Sequence, residues 1–468
     1  MTLPPPASNS FNTLALSAST HENLRRLGYL EMTAIQAASL PAALQGCDVI
    51  AQAKTGSGKT AAFALALLAR LDVRRFAVQA LVLCPTRELA DQVTTEIRRL
   101  ARAEDNIKIV TLAGGVPLRG QTASLEHGAH VVVGTPGRVI DHLERGHLGL
   151  DALATLVLDE ADRMLDMGFI DDIAKVARQC PAQRQTLLFS ATYPEGIARL
   201  ATQFLREPVS VKVQAQHDSG QIEQRWYEVR EDQRLPAVGA LLAHFRPIST
   251  LGFCNTKARC RALVQLLQAQ GYSALALHGD LEQRERDQVL VRFVNGSCPV
   301  LVATDVAARG LDIAGLAAVV NVDISPDPEA HVHRIGRTGR AGQVGLALSL
   351  ATLDEMGAVG RIEQLQGRPS VWHALAELTS APEGPLLPAM ATIHIQAGRK
   401  DKIRPGDVLG ALTADLGYTR EQVGKIDINE FATYVAVAHS IAHEAVARLN
   451  GGRIKGRGVK ARLLTDEA

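Results

Sequence analysis

Short apolar runs alternate with longer amphipathic segments over residues 22–208. The runs read DVIAQA, ALVLCP, IKIVTLAGG, HVVVGTP, TLVLDEA and QTLLFSAT, and turn-forming residues separate most of them from the next helical pattern. Apolar strands that alternate with helices indicate βαβ units built around a parallel sheet. A second set follows over residues 222–375, with the runs STLGFCN, YSALALHG, PVLVATD, AAVVNVD and GLALSL. The pattern therefore predicts two α/β lobes of similar kind.

The rest of the chain divides at polar, turn-rich stretches. QAQHDSGQ and TSAPEGPLLPAMA have the composition of linkers, and the Pro/Ser/Asn-rich start has that of a disordered tail. The last segment reads strand, helix, strand, strand, helix, strand, which predicts a small α+β domain. The predicted parts are a tail at 1–10, a first lobe at 11–213, a second lobe at 222–375 and a third domain at 391–465.

Composition narrows the class of protein. At 468 residues the chain is too long for one ordinary core. Its 46% hydrophobic and 21% charged residues are typical of a soluble globular protein, and no apolar run approaches the length of a membrane span. The start lacks the features of a secretory signal. Six scattered cysteines without a CxxC pair indicate reduced thiols. We expect a cytoplasmic protein without a membrane partner, and nothing in the sequence indicates an oligomer.

The net charge says little about binding partners, but the distribution of charged residues along the chain is informative. The net charge is +1, but six basic residues and no acid lie between Arg448 and Arg462. Such clustering is the footprint of a polyanion-binding site, although a solvated tail has the same composition.

A phosphate-binding loop is predicted at AKTGSGKT, residues 53–60, between an apolar strand and a helical pattern. It fits GxxxxGK[ST] except that Ala53 replaces the first glycine. Backbone N–H groups of such a loop surround phosphate oxygens, the lysine reaches the β and γ phosphates, and the hydroxyl binds Mg²⁺. A flexible turn is the alternative, which the strand–loop–helix context disfavours. The predicted ATP-binding residues here are Ala53, Thr55, Gly56, Ser57, Gly58, Lys59 and Thr60.

Adjacent acids follow another apolar run, in LVLDEADRM. A buried strand has no packing use for neighbouring carboxylates, although a strand could simply end at a solvated acidic turn. With a phosphate loop in the same chain, Asp159 is predicted to hold Mg²⁺ with Thr60, and Glu160 to orient and deprotonate water.

Residues 159–162 spell the DEAD box, and over residues 11–375 the chain resembles the DEAD-box ATP-dependent RNA helicases. The resemblance implies two tandem RecA-like parallel-sheet lobes. GYLEMTAIQ, residues 28–36, resembles the adenine-reading segment of that family, with Met32 in place of the usual proline. By that resemblance Tyr29 stacks on adenine and Gln36 hydrogen-bonds its edge.

The remaining family motifs occur in the family's order. PTRELA, Gly114-Gly115 and TPGR match segments that contact the RNA backbone, and Ser190-Ala191-Thr192 matches the segment that couples ATP state to RNA. ATDVAARGLD and HRIGRTGR match second-lobe motifs, Gln283 and Arg286 fit QxxR, and His331 stands where an aromatic residue is usual. The resemblance implies RNA contacts at Thr86, Arg87, Gly115, Thr135, Arg138 and Thr304, and places Arg309 in the cleft between nucleotide and RNA. It also implies coupling roles for Ser190, Thr192 and His333 and a ribose contact at Asp312. The implied catalytic residues are Lys59, Glu160, Arg337 and Arg340, the last two as arginine fingers.

The last domain resembles an RNA-recognition fold, and more closely the C-terminal domain of the DbpA helicase subfamily, in KIRPGDVLGALT and GGRIKGRGVKARLL. This implies recognition of a 23S ribosomal RNA hairpin in pre-50S particles during large-subunit assembly. Its two central strands offer few aromatic residues for base stacking, with His394, Ala432 and Tyr434 at the aligned positions. The basic residues are better RNA candidates, although each has the alternative of an ordinary solvated charge: Lys400, Lys402, Arg404, Arg453, Lys455 and Arg457.

The sequence therefore predicts an RNA-dependent ATPase that unwinds short ribosomal RNA duplexes. The alternative is a catalytically idle RNA-binding clamp or scaffold, which the intact ATPase residues disfavour. A DNA helicase is a weaker alternative within the enzyme class.

Overall fold

The computed structural model describes residues 9–53, 56–193, 195–213, 222–308, 315–339, 344–379 and 384–465. These residues form two compact units, one on each side of the predicted linker at 214–221. Outside the described residues lie that linker, residues 1–8 of the predicted tail, part of the second predicted linker, and the site candidates Thr55, Arg309, Asp312 and Arg340.

The first unit is built on a parallel sheet of seven strands in the order β3-β4-β2-β5-β6-β1-β7. Most of its strands are buried along their whole length, as strands covered by helices on both faces must be. The strands are β1 Val49–Gln52, β2 Ala80–Leu83, β3 Ile109–Leu112, β4 Val131–Gly134, β5 Thr155–Asp159, β6 Gln185–Ser190 and β7 Val209–Lys212.

Helices follow most of these strands and pack in two apolar clusters, one containing Phe63 and Val133, the other Leu81 and Ile173. The helices are α1 Ala18–Arg26, α2 Ala34–Leu44, α3 Lys59–Leu68, α4 Arg87–Leu100, α5 Leu118–Glu126, α6 Pro136–Glu144, α7 Ala161–Asp166, α8 Ile170–Gln179 and α9 Glu195–Phe204. Because the strands are parallel, the loops that lead into α3, α4, α6 and α7 leave the sheet at the same edge.

The second unit begins with another seven-stranded parallel sheet, in the order β10-β11-β9-β12-β13-β8-β14. Its strands are β8 Ile222–Glu228, β9 Thr250–Cys254, β10 Ala274–Leu277, β11 Val300–Thr304, β12 Ala318–Asn321, β13 Gly345–Ala351 and β14 Trp372–His373. Its helices are α10 Arg234–Phe245, α11 Lys257–Ala269, α12 Gln283–Val294, α13 Asp305–Ala308, α14 Pro328–Ile335 and α15 Met356–Gln366.

The C-terminal domain belongs to the same unit and has a four-stranded antiparallel sheet in the order β16-β17-β15-β18. Its elements are β15 Met390–Ile395, α16 Pro405–Gly410, β16 Val423–Ile428, β17 Thr433–Ala438, α17 Ala442–Gly451 and β18 Ala461–Leu463. One face of the sheet packs on the two helices through residues such as Ile393, Val435 and Val408. The predicted fold class of two parallel-sheet lobes and a small α+β domain is confirmed.

Three strands were not predicted from the pattern. β7 carries polar residues at alternate positions, β8 has three consecutive polar residues, and β14 has only two residues. The ordered chain also begins before the predicted boundary at residue 11, since Met32 N donates to Asn9 O over 2.7 Å and Ser10 pairs with Glu31. In the described ranges, no helix is long and apolar enough to cross a membrane.

Candidate functional site

Three strands of the first sheet bring the predicted nucleotide motifs together. β5, β6 and β1 are neighbours in that order and run parallel. Asp159 ends β5, Ser190 ends β6, and Ser190 pairs in register with Gln52 at the end of β1. The phosphate loop, the acid pair and the segment after β6 therefore share the carboxyl edge of the sheet, where ligands bind in open α/β proteins.

The phosphate loop turns through two glycines in the left-handed region. Gly56 has φ 79° and Gly58, the residue before α3, has φ 92°. A Cβ on Gly58 would also lie 2.5 Å from Gln36 Nε2. Lys59 is buried, and its Nζ donates to Ala53 O over 2.7 Å. The amine is thus held over its own loop, where a phosphate group can take the place of the carbonyl.

The predicted adenine-reading residues are engaged with this loop and with α4. Gln36 Nε2 donates to Gly58 O over 3.1 Å, and Gln36 Oε1 accepts from Thr33 N over 2.9 Å. Tyr29 O–H donates to Glu96 Oε1 over 2.5 Å, and burial followed by this contact raises the pKa of Tyr29. Gln36 therefore ties α2 to the start of α3, a role that the sequence pattern did not predict.

The acid pair is buried, with 3% of Asp159 and 4% of Glu160 exposed. Burial, and then the charge of Glu160, raise the pKa of Asp159 to about 7, while Lys59 acts in the opposite direction. Arg163 Nη1 donates to Glu160 Oε2 over 2.7 Å and fixes that carboxylate. A buried carboxyl with a raised pKa gains from a cation that offsets its desolvation.

Magnesium is compatible with the donors present here. Mg²⁺ usually takes one or two protein oxygens, with phosphates and water completing its shell. Asp159 and the Thr60 hydroxyl are oxygen donors of that kind at the same sheet edge. No group of three or more His, Cys, Asp or Glu side chains suited to a metal occurs within the described residues.

Asp162 joins the acid segment to the segment after β6. Its Oδ2 accepts from Ala191 N over 3.0 Å, from Thr192 N over 2.8 Å and from Thr192 Oγ1 over 3.1 Å. Asp162 N in turn donates to Ser190 Oγ over 3.2 Å. Ser190 and Thr192, two of the three predicted coupling residues, are thus bonded to the acid segment. The motif pattern assigned no role to Asp162, although its place as the next acid after the pair was visible.

The other half of the first sheet edge carries the residues predicted to contact RNA. Thr86, after β2, is the N-cap of α4, and its Oγ1 accepts from Leu89 N over 3.3 Å. Arg87 Nε lies 3.8 Å from Asp91 Oδ2. Thr135 precedes α6 after β4. Helix starts of this kind present N–H groups to phosphate.

Arg138, on α6, contacts the segment that follows β3, which contains Gly115. Arg138 Nη1 donates to Val116 O over 3.0 Å and to Gln121 Oε1 over 2.9 Å. Gly115 has φ 72°, which a side chain rarely adopts. The structure therefore brings the predicted RNA residues after β3 and β4 together, on the half of the edge away from the phosphate loop.

In the second sheet, Arg334 organises the carboxyl edge. Its Nε and Nη2 donate to the two carboxylate oxygens of Asp305 over 2.7 and 2.6 Å. Nη1 donates to Asp323 O over 2.7 Å, and Nη2 to Asn255 Oδ1 over 3.0 Å. Asp305 directly follows Thr304, so Arg334 fixes the backbone at this predicted RNA residue. The sequence placed Arg334 in a family motif without giving it a role.

Two other second-lobe candidates, His333 and Arg337, lie on α14 and just after it. His333 is next to Arg334 on α14, and Arg337 lies in the turn that follows, where its N donates to Arg334 O over 3.1 Å. Arg337 is 7% exposed. Asp312 and Arg340, predicted to act with them, lie outside the described residues. The roles of His333 and Arg337 therefore stay predictions.

His331 is the unusual residue of α14. Its ring stacks on Trp226 at 5.2 Å between centroids, and no hydrogen-bond partner for either ring nitrogen is found among the described residues. Burial, and then the charge of Arg334, lower the pKa of His331 to about 3. The ring is therefore neutral at physiological pH and fills an aromatic position.

In the C-terminal domain, two basic stretches about fifty residues apart meet. Lys455 Nζ donates to Lys402 O over 2.9 Å and lies 3.4 Å from Asp407 Oδ2. Arg457 Nη1 lies 3.4 Å from Asp401 Oδ1. The six basic candidates on these stretches are exposed. We call them the basic loop surface: Lys400, Lys402, Arg404, Arg453, Lys455 and Arg457.

An exposed aromatic residue adjoins this surface. Phe431 is 64% exposed, and Lys400 Nζ lies 4.0 Å from its ring centroid. Lys400 also lies 3.2 Å from Glu430. Basic groups beside an exposed ring are a common combination in RNA-binding surfaces. Phe431 was not predicted from the sequence, because it lies before β17 and not within a central strand.

Models of three protein families match the chain in succession. The DEAD/DEAH box helicase model matches residues 33–200, the helicase conserved C-terminal domain matches 234–342, and the DbpA RNA binding domain matches 392–463. The three matches fall on the first sheet, the second sheet and the antiparallel domain.

Several known proteins are similar to this chain over most of its length. The chain is 53% identical to Escherichia coli ATP-dependent RNA helicase DbpA over 97% of its own length and 99% of that protein. It is 46% identical to Geobacillus kaustophilus DEAD-box ATP-dependent RNA helicase CshA over 77% of each chain. Among solved structures, S. cerevisiae Dbp5 bound to RNA and ADP BeF3 superposes with a TM-score of 0.72 at 30% identity, covering 79% of this chain and 96% of that one.

Proposed function

Because this chain belongs to the DEAD-box family of ATP-dependent RNA helicases and ends in a DbpA RNA-binding domain, we propose that it unwinds short duplexes of large-subunit ribosomal RNA. Its target is a 23S ribosomal RNA hairpin in pre-50S particles, and it acts in the cytoplasm. The observation that carries the proposal is the shared sheet edge of the phosphate loop and acid pair, in a chain that also presents the basic loop surface.

Hydrolysis begins with a nucleotide on the phosphate loop. Lys59 exchanges its bond to Ala53 O for phosphate oxygens. Asp159 and Thr60 hold Mg²⁺, which neutralises charge on the phosphates when it is bound. Glu160, fixed by Arg163, orients a water and takes its proton during attack on the γ-phosphate. Tyr29 and Gln36 read adenine, as the family pattern implies, and Gln36 connects that contact to Gly58.

RNA enters the mechanism through the second half of the edge and through the second lobe. Thr86, Arg87, Gly115, Thr135 and Arg138 hold the backbone without reading sequence. Asp162, bonded to the 190–192 segment, carries the nucleotide state toward the RNA. Thr304, His333, Asp312, Arg337 and Arg340 contribute the contacts and positive charge that the family pattern assigns to the second lobe.

Selection of ribosomal RNA needs a further element, because backbone contacts do not distinguish sequences. The basic loop surface supplies it. Its charges lie on two loops that are tied together, and Phe431 offers a ring for an unpaired base. A hairpin presents both phosphates and unpaired bases.

Phosphate release with and without RNA tests the enzymatic proposal, with displacement of a short labelled strand measured in parallel. We expect RNA to stimulate phosphate release, ATP to be needed for strand displacement, and Glu160→Gln to lose both. An idle clamp would bind RNA with no ATPase above the Glu160→Gln background. Equal stimulation by single-stranded DNA would instead favour the DNA helicase alternative.

A further inference from the structure

The two central strands of the C-terminal sheet, β15 and β17, are covered on both faces. Side chains alternate across a strand, so Ile393 and Val435 point to the helices while Thr392, His394 and Tyr434 belong to the other face. That second face would be open to water or RNA in a free RNA-recognition fold. Here Thr392 is 0% exposed, His394 5% and Tyr434 4%.

The cover is the end of α12 and the turn that follows it in the second lobe. Thr392 Oγ1 lies 2.6 Å from Ser297 Oγ and accepts from Asn295 Nδ2 over 3.3 Å. Arg292 Nη1 donates to Thr465 O over 3.2 Å, beyond the end of β18. All three lobe residues are buried, which indicates a packed contact.

The same helix reaches the aromatic pair of the sheet. Burial raises the pKa of Tyr434, and the charge of Asp287 on α12 adds to that effect. Burial lowers the pKa of His394, with Arg462 and then Arg284 of α12 contributing. The His394 and Tyr434 rings lie 5.1 Å apart between centroids. The one face on which bases could stack is therefore occupied by α12.

We propose that this sheet face is a docking surface for α12 of the second lobe, and that RNA reaches the domain only through the basic loop surface. The docked helix connects that surface to the second lobe, since Arg286 Nη2 on α12 donates to Ala307 O over 2.7 Å, three residues after Thr304. The RNA part of this inference rests on the proposed function, whereas the docking itself does not.

Docking leaves the proposed RNA surface open. Lys400 and Arg457 keep 57% and 63% of their side chains exposed while the sheet face is covered. RNA can therefore bind while the domain stays docked on the second lobe. In that arrangement the bound RNA is held at a fixed place relative to α12.

A cysteine pair tests the docked arrangement in the full chain. Ser297→Cys with Thr392→Cys places two thiols where two hydroxyl oxygens now meet, and mild oxidation should join them. Peptide mapping distinguishes this disulfide from one to the neighbouring Cys298, and each single variant is a control. The cross-linked protein should bind ribosomal RNA within about twofold of the reduced form, as expected when no RNA contact is lost. Failure to cross-link, or RNA binding lost on cross-linking, overturns the proposal.

A charged side chain on the covered sheet face tests whether docking couples RNA binding to ATPase stimulation. Thr392→Arg should undock the domain without touching its helix-facing core, and His443→Arg adds the same charge at an exposed position of α17. We expect Thr392→Arg to change direct RNA binding by no more than about twofold. The RNA concentration that half-stimulates the ATPase should rise at least about fivefold, the lower range of coupling between sites.

The possible outcomes distinguish the docking proposal from the proposed function. A loss of direct RNA binding in Thr392→Arg alone would make the sheet face an RNA site and overturn the docking proposal. Unchanged RNA binding together with unchanged stimulation would remove α12 from the coupling and overturn it as well. An unmodified protein that RNA does not stimulate would refute the proposed function, while the disulfide result would still report on docking.

Discussion

At the scale of single residues, the site places charge where it is costly. Asp159 and Glu160 are adjacent and buried, and Arg163 donates to Glu160. Glu160 also has φ 52°, a backbone conformation that costs a non-glycine residue energy. Strain and buried charge at the same position are typical of residues kept for chemistry.

Glu160→Gln tests that position. Glutamine keeps the shape and can still contact Arg163, but it cannot take a proton from water, so turnover should fall about 100-fold or more while ATP and RNA still bind. Phosphate release and nucleotide affinity are measured together, with Glu144→Gln on the exposed side of α6 as the control. Turnover near that of the unmodified protein would remove Glu160 from the mechanism.

His331→Phe tests the buried histidine. The folded-state pKa of His331 is lowered to about 3 from 6.5, so folding opposes its protonation and stability is lost as the pH falls below about 6.5. Phenylalanine has no such loss, and the variant's advantage in unfolding free energy should grow to about 2 kcal/mol at pH 5. Thermal unfolding at pH 8 and pH 5 measures it, with exposed His443→Phe as the control. A difference independent of pH would mean that His331 is protonated without cost.

At the scale of elements, the Arg334 side chain ties α14 to the second sheet edge. Arg334 is 2% exposed and bonds to residues that follow β9, β11 and β12. A planar fork is needed for the two contacts with Asp305, which lysine cannot supply. The position of α14 at the sheet edge therefore depends on Arg334.

A double-mutant cycle between Arg334→Lys and Asp305→Asn measures this contact. Breaking a buried pair from one side costs about 3–5 kcal/mol of unfolding free energy, and the double variant should lose less than the sum of the two. Denaturant unfolding is the measurement, and Arg361→Lys at an exposed position of α15 is the control. Additive losses would show that the two side chains do not stabilise each other.

The elements that the sequence predicted and those that it missed differ in kind. Continuous apolar runs identified β1 to β6 because such strands are buried on both faces. β8 was missed because it contains three consecutive polar residues and no long apolar run. Motif spacing located Asp159 and Arg337 but gave no role to Asp162 and Arg334, because their partners lie in other loops of the sheet edge and only the fold brings them together.

At the scale of the whole chain, the proposed function assigns chemistry and RNA selection to different parts. The first sheet edge collects the predicted nucleotide residues, and its RNA candidates are predicted to contact only a backbone that all RNAs share. The basic loop surface is the part that differs from a bare two-lobe helicase. Its charges are partly paired, as Lys455 is with Asp407 and Arg457 with Asp401, so RNA must displace these contacts.

Neutralising part of that surface tests its contact with phosphate. Replacing Arg453, Lys455 and Arg457 by glutamine should lower RNA affinity and reduce the slope of log K against log salt by up to about three units, if each meets a phosphate. Titrations at several salt concentrations give the slope, with Arg420→Gln and Lys425→Gln, exposed elsewhere on the domain, as the control. An unchanged slope would show that these groups do not release counterions on binding.

The most direct measurement is the RNA concentration that half-stimulates phosphate release, for a large-subunit ribosomal RNA hairpin fragment and for an unrelated RNA of equal length. We predict a value at least about tenfold lower for the ribosomal fragment, as expected of specific over non-specific binding. The protein with Arg453, Lys455 and Arg457 neutralised should reach a similar maximal rate without that preference. Equal values for the two RNAs with the unmodified protein would contradict the account.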